Sequence, residues 1–125
     1  MGKFIIKTVP TGVKFDLRAA NGETIATSEV YKTEAACRKG IASVIRSAPQ
    51  AKLEDRTAEP AARCTNPKFE LYQDRSGAFR FRLRSRNGAI IAVSEGYSSK
   101  NACLDGVGSV KNNVIFQENN EILCK

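Results

Sequence analysis

The chain has 125 residues, no His, and a net charge of +7 from 20 Lys and Arg against 13 Asp and Glu. That length allows one ordinary domain or two very small ones. Its longest apolar runs fall far short of the roughly 18 residues a membrane-spanning helix needs, and the missing imidazole removes the usual general base at neutral pH and the commonest metal ligand.

In chain order, residues 4–9 are predicted as a strand, Pro10-Thr11-Gly12 as a turn, and residues 13–19 and 23–28 as two strands joined at Asn21-Gly22. Asn and Gly tolerate the positive φ of a tight hairpin, which makes the pair a strong turn signal between apolar alternations. Phe15 and Leu17 point to one side of the second strand, and Lys14, Asp16 and Arg18 to the other. A two-residue loop would carry Ile25 to the charged side. A three-residue loop with Gly22 in the left-handed region sets Leu17 beside Ile25 instead, and burial favours that register. After Ser28-Glu29-Val30-Tyr31, Thr33 is a plausible helix N-cap. Ala36, Cys37, Gly40, Ile41, Val44 and Ala48 form one apolar stripe. Pro49 stops the helix at or before Ala48, and residues 50–56 are expected to hold a short fourth strand.

Residues 57–66, with a Pro, several Ala and no periodicity, read as a connector. The same series then recurs: strands at 68–74, 78–85 and 89–94, with Asn87-Gly88 in the last turn, then Ser94-Glu95-Gly96-Tyr97. Ser99 caps a helix whose apolar face is Ala102, Cys103, Gly106, Val107 and Val110. Setting residues 15–46 against 81–112 gives identity at 15 of 32 positions without a gap, which means duplication. By the same register Leu83 is expected near Ile91 and Phe81 near Val93. The halves are residues 1–56 and 67–125. Each is so small that alone it buries too little surface to be more than marginal, so both are expected to share one core. The expected fold is α+β: a mainly antiparallel sheet with two helices on one face and the other face wet. Val114-Ile115-Phe116 and Ile122-Leu123-Cys124 are the candidates for a last strand.

The pattern Phe81-Arg82-Leu83, Asn87-Gly88, Ile91-Ala92, Ser94 to Lys100, Gly106-Val107 and Ser109-Val110-Lys111 resembles the YegP-like family. The first copy carries the same signature through Phe15, Leu17, Asn21-Gly22-Glu23, Ile25, Ser28-Glu29, Tyr31 and Gly40 to Val44. The resemblance implies tandem β-β-β-α-β repeats whose last strands are exchanged. It brings no established activity, cofactor or catalytic residue.

Arg80, Arg82, Arg84 and Arg86 alternate along one strand and form the main candidate for anion binding, with Lys14 and Arg18 at corresponding places in the first copy. Same-face residues on a strand recur about every 6.6 Å, so such a row presents planar donors to phosphates. Glu70 and Asp74 project from the preceding strand to the same face and compete as internal partners. Tyr72 is expected either to lie under an arginine or to stack on a base. Phe79 and Phe81 belong to the buried side. Nucleic-acid binding through this row would be phosphate contact without base reading. The motif residues Asn21, Gly22, Ser28, Glu29 and Tyr31, with Asn87, Gly88, Ser94, Glu95 and Tyr97, are assigned a structural part, the tyrosine hydroxyls staying wet. Cys37 and Cys103 belong to the core, while Cys64 and Cys124 are the more exposed thiols. With no C-x-x-C pair, P-loop or nucleophile elbow, neither a metal nor a cofactor is expected, and an enzyme is disfavoured. The start Met-Gly-Lys-Phe lacks a secretory apolar segment, so a cytoplasmic, monomeric binding module for a protein or an anion is the expectation.

Overall fold

The computed structural model describes residues 2–114 and the backbone of residues 121–124. In chain order the elements are β1 (Lys3–Val9), β2 (Gly12–Arg18), β3 (Thr24–Thr27), α1 (Glu34–Ser47), a 3-10 turn (Ala48–Gln50), β4 (Lys52–Asp55), β5 (Lys68–Gln73), β6 (Phe79–Arg84), β7 (Ile90–Val93), α2 (Lys100–Asn113) and β8 (Glu121–Cys124). Among the described residues they build one eight-stranded sheet in the order β4-β5-β6-β7-β3-β2-β1-β8. The two repeats meet antiparallel at its centre, where Thr27 pairs with Val93. Each repeat's last strand lies in the other's half, β4 parallel to β5 and β8 parallel to β1. The exchange expected from the resemblance is therefore present, and the sheet is antiparallel except at these outer pairs.

Helix starts follow the sequence signals. Thr33 and Ser99 are extended N-caps whose hydroxyls accept from the Ala36 and Ala102 amides at 3.1 Å, occupying donors that the first turn leaves free. Pro49 ends α1 in the 3-10 turn, so β4 starts at Lys52 and Gln50 lies outside it. Val114 is the C-cap of α2 and forms no strand. Ile115 and Phe116 fall outside the described residues.

Both helices lie on one face. α1 touches β2 and β1 of its own repeat and β6 and β7 of the other, while α2 reaches β3 as well as β5 and β6. Beneath them Phe4, Phe15, Phe69 and Phe81 are completely buried, each burial stabilising by roughly 1.5–3 kcal/mol. Phe4 meets Phe15 edge-on at 5.8 Å, and Phe69 meets Phe81 in the same way at 5.8 Å. Cys37 and Cys103 are buried in this core, and burial pushes the Cys103 thiol up to about 11. Phe79 is only partly buried.

The Asn-Gly turns have the three-residue form. Gly22 and Gly88 both sit at φ +88°, their amides donating to Ala19 O and Ser85 O at 2.9 Å, and the Asn21 and Asn87 side chains accept from the amides of Glu23 and Ala89. The register departs from expectation further along. Arg18 pairs with Thr24 but Leu17 pairs with Ala26, so Ile25 is an extra residue in a bulge. In the second repeat Leu83 likewise pairs with Ala92, and Val93 faces Arg82. The bulge lets two consecutive residues bury: Ile25 with Ala26, and Ile91 with Ala92.

Candidate anion-binding face

The Ser-Glu-x-Tyr segments lead from the sheet to each helix, and Ser94 and Glu95 also line a hollow with Arg80 and β3. Where β3 leaves β2, the Ser28 amide still donates to Phe15 O, while the Ser28 hydroxyl accepts the Phe15 amide at 2.9 Å and donates to Glu29 O. Ser94 repeats this around Phe81 and Glu95. A side chain thus completes a backbone ladder that would otherwise leave a buried N–H unpaired. Tyr31 and Tyr97 then exchange backbone hydrogen bonds with Val13 and Phe79. Their rings stack beside Phe15 and Phe81 at 6.4 and 6.3 Å. The hydroxyls are not fully wet as expected. They rest on helix glycines, so close that a Cβ at Gly40 would lie 2.3 Å from Tyr31 Oη and one at Gly106 2.5 Å from Tyr97 Oη. Burial raises both phenol pKa values, away from the neutral range a general base needs. Glu29 and Glu95 are exposed.

On the face opposite the helices, β6 presents three of the four expected arginines. Strand β6 ends at Arg84, and Arg86 belongs to the following turn, where it lines a cleft beside the end of α1. The ladder is therefore three guanidinium groups long. Each has an internal partner. Arg80 Nε donates to Asp74 at 2.7 Å, and Arg82 Nε and Arg84 Nε both donate to Glu70 Oε1, at 2.6 and 2.7 Å. The Arg82 guanidinium lies 4.7 Å from the Tyr72 ring centroid, a cation–π contact that occupies the face a base would need. The internal pairing anticipated from Glu70 and Asp74 is present in full.

A larger charged cluster lies behind this row. Strand exchange sets Glu54 of β4 directly beside Glu70 of β5, and they are 1% and 2% exposed. Two buried carboxylates at neighbouring positions repel unless cations surround them. Arg56 donates to both at 2.8 and 3.1 Å, Lys68 pairs with both at 2.9 and 3.5 Å, and the Cys64 amide donates to Glu54 at 2.8 Å. Burial pushes the Glu70 carboxyl up, but the hydrogen bonds from Arg82 and Arg84 outweigh it and hold it at about 2. Glu54 is also lowered, first by its bond to Lys68 and then by the Cys64 amide. Sequence reading missed Glu54, Arg56 and Lys68 as one unit. The available signal was the alternation Lys52-x-Glu54-x-Arg56 against Lys68-x-Glu70, which becomes one cluster only when the exchanged strands are set in parallel register.

The first repeat is arranged differently. Asp16 stands where the second repeat has Arg82, pairing with Lys7 at 2.5 Å and accepting from Thr27 at 2.8 Å. Burial raises its carboxyl pKa, and the bonds from Lys7 and Thr27 more than reverse that. Ile5, opposite Asp16, is 2% exposed, so the open face is not wet throughout. Lys14 lies opposite Lys7, and Arg18 opposite Lys3. The Arg18 Nε is buried without a hydrogen-bond partner among the described residues. Lys14 and Arg18 are therefore separated from the β6 arginines by β3 and β7. Among the described residues no group of three or more Cys, Asp or Glu is placed to hold a metal, and no helix is long and apolar enough to cross a membrane. Cys64 is a partly exposed free thiol, whereas the Cys124 side chain lies outside the described residues.

Comparison with known proteins gives the family. Residues 12–55 and 74–121 match a domain of unknown function, DUF1508, one match per repeat. A UPF0339 protein YegP from Yersinia pestis is 34% identical over 114 residues, covering 90% of this chain and 88% of that one. A UPF0339 protein from Methanosarcina acetivorans is 61% identical over 46 residues, 37% of this chain but 79% of its own length, so it is little longer than one repeat. The solution structure of Escherichia coli YegP, titled a protein of unknown function, superposes with a TM-score of 0.78 at 30% identity, covering 99% of this chain and 92% of that one. The two matches to the domain, the near full-length relatives and the shared topology establish that the chain belongs to the YegP-like UPF0339 family.

Proposed function

We propose that the chain is a non-enzymatic, monomeric binding module whose open sheet face takes polyanions such as nucleic acid by phosphate contact. The observation that carries this reading is the charge left after internal pairing. Among the described side chains, Glu54, Glu70, Asp74 and Asp16 are outnumbered by Arg56, Lys68, Arg80, Arg82, Arg84, Lys3, Lys7, Lys14 and Arg18, all on β strands or their ends. Arg56 and Arg80 remain about two-fifths exposed although paired, so their outer N–H groups are open to a second acceptor. With Tyr72 covered by Arg82, base stacking has no obvious platform, which favours sequence-independent contact.

Titration of a duplex against the protein across salt concentrations tests this. Three phosphate contacts predict an affinity loss of about 10- to 100-fold between about 50 and 200 mM salt. Affinity that does not change with salt, or no binding at the lowest salt, overturns the reading.

A second reading rests on Leu53, an exposed leucine on edge strand β4. It suits a protein partner that adds a strand to that edge. An enzyme is disfavoured because the motif phenols are shifted upward, away from the range of a general base.

A further inference from the structure

The arginine that leaves the β6 ladder points to a separate site. Arg86, in the β6–β7 turn, and Arg46, in the last turn of α1, line the same cleft of about 300 Å³ with Ser43, Ser47, Ser85 and Asn87. A second hollow of about 130 Å³, lined by Arg46, Ser47, Gln50, Pro67 and Arg86, shares both arginines and Ser47. The two form one trough at the end of the helix layer, away from the open sheet face.

The charge balance here is the reverse of that on β6. Arg80, Arg82 and Arg84 each have a carboxylate, whereas neither Arg46 nor Arg86 forms an ion pair among the described residues, and no carboxylate lines the trough. Two guanidinium groups facing one hollow repel each other, and a dianion between them relieves the repulsion while matching their forked donors. The Ser43 and Ser47 hydroxyls and the Asn87 side-chain N–H groups supply further donors, while the Ser85 hydroxyl donates to Asn87 Oδ1. The symmetry-related place lacks the feature: the counterpart of Arg86 is Ala20 in the first repeat, and that of Arg46 is Asn112 in the second. Duplication alone therefore does not account for the pair.

We propose that this trough binds a small phosphate monoester, its phosphate held between Arg46 and Arg86 and its organic part lying toward Gln50 and Pro67. The volume exceeds what inorganic phosphate fills and lies at the lower end of ordinary small-ligand pockets. The site is independent of the polyanion reading of the open face.

The test is an amide NMR titration of the full chain with AMP, inorganic phosphate and adenosine, each at millimolar concentration. The expected result is that AMP and phosphate shift the amides of residues 43–50 and 85–88, that adenosine does not, and that Arg46→Gln with Arg86→Gln weakens AMP binding about 10-fold or more. Both side chains are exposed, so the fold should tolerate the changes, and the wild-type shift map reads the site without them. No shift with either anion, equal shifts with adenosine, or unchanged binding by the double variant overturns the proposal. Shifts with phosphate but not AMP overturn the ester assignment. If the double variant still binds duplex, the trough and the open face are distinct sites; loss of salt-dependent duplex binding in the wild type would count against the open-face reading alone.

Discussion

The two repeats share a backbone but not an open face. In the second, Glu70 faces Arg82 across β5 and β6 and sits beside Glu54, with Arg56, Lys68 and Arg84 closing around them. In the first, the same positions hold Ile5 and Asp16, and Leu123 takes the register place beside Ile5 that Glu54 takes beside Glu70. What the repeats keep is hydrogen bonding and close contact at the exit from the sheet: Ser28 and Ser94, Tyr31 and Tyr97, Gly40 and Gly106. Backbone groups must be satisfied in both copies, because an unpaired buried amide is costly in either. The face away from the helices carries no such obligation, and its charges have diverged.

Replacing Glu70 is the strongest way to probe that divergence. Glu70→Gln keeps the shape but leaves Arg82, Arg84 and Lys68 short of a carboxylate, and should cost about 2–4 kcal/mol. Ile5→Val at the equivalent place should cost about 0.5–1.5 kcal/mol. Denaturant unfolding of both variants measures the difference, and equal losses would show that the charged cluster is no more than filler.

Acid separates the halves in a second way. The Glu70 carboxyl is held at about 2, below the ordinary glutamate value of 4.5, so its stabilisation is complete above the unfolded value and disappears as pH falls from 4.5 toward 2. The wild type should lose on the order of 2 kcal/mol more than Glu70→Gln over that interval. Parallel pH profiles for the two proteins would contradict the pairing.

Ser28→Ala and Ser94→Ala should act alike, each costing about 1–3 kcal/mol by orphaning the amide of Phe15 or Phe81. Unequal losses would mean the shared exit geometry is not shared energetically. A smaller effect is expected for Gly40→Ala and Gly106→Ala. Each new methyl group collides with a tyrosine ring, a cost of about 1–3 kcal/mol offset by about 1 kcal/mol of better helix propensity. Thermal melts should show a modest drop for both.

Much of the architecture was legible because its signals are local. Asn21-Gly22 and Asn87-Gly88 fixed the turn type, Thr33 and Ser99 fixed the helix starts, and the alternation around Phe15 and Phe81 fixed the buried side. The bulges at Ile25 and Ile91 were not legible, since an extra residue in one strand has no composition signal of its own. Nor was the Glu54 cluster, whose members meet only through the parallel pairing of β4 with β5. Arg86 was misplaced for a related reason: alternation in sequence continues past Arg84, but the chain turns there and carries the side chain to the other layer.

Strand exchange also has a mechanical consequence. Because β4 is anchored beside β5 and β8 beside β1, each half grips an arm of its neighbour at opposite rims of the molecule. A protease nick between residues 57 and 66 would leave two pieces clasped at both rims as well as along the seam at Thr27 and Val93. They should travel together through a sizing column and part only when both arms are drawn out at once.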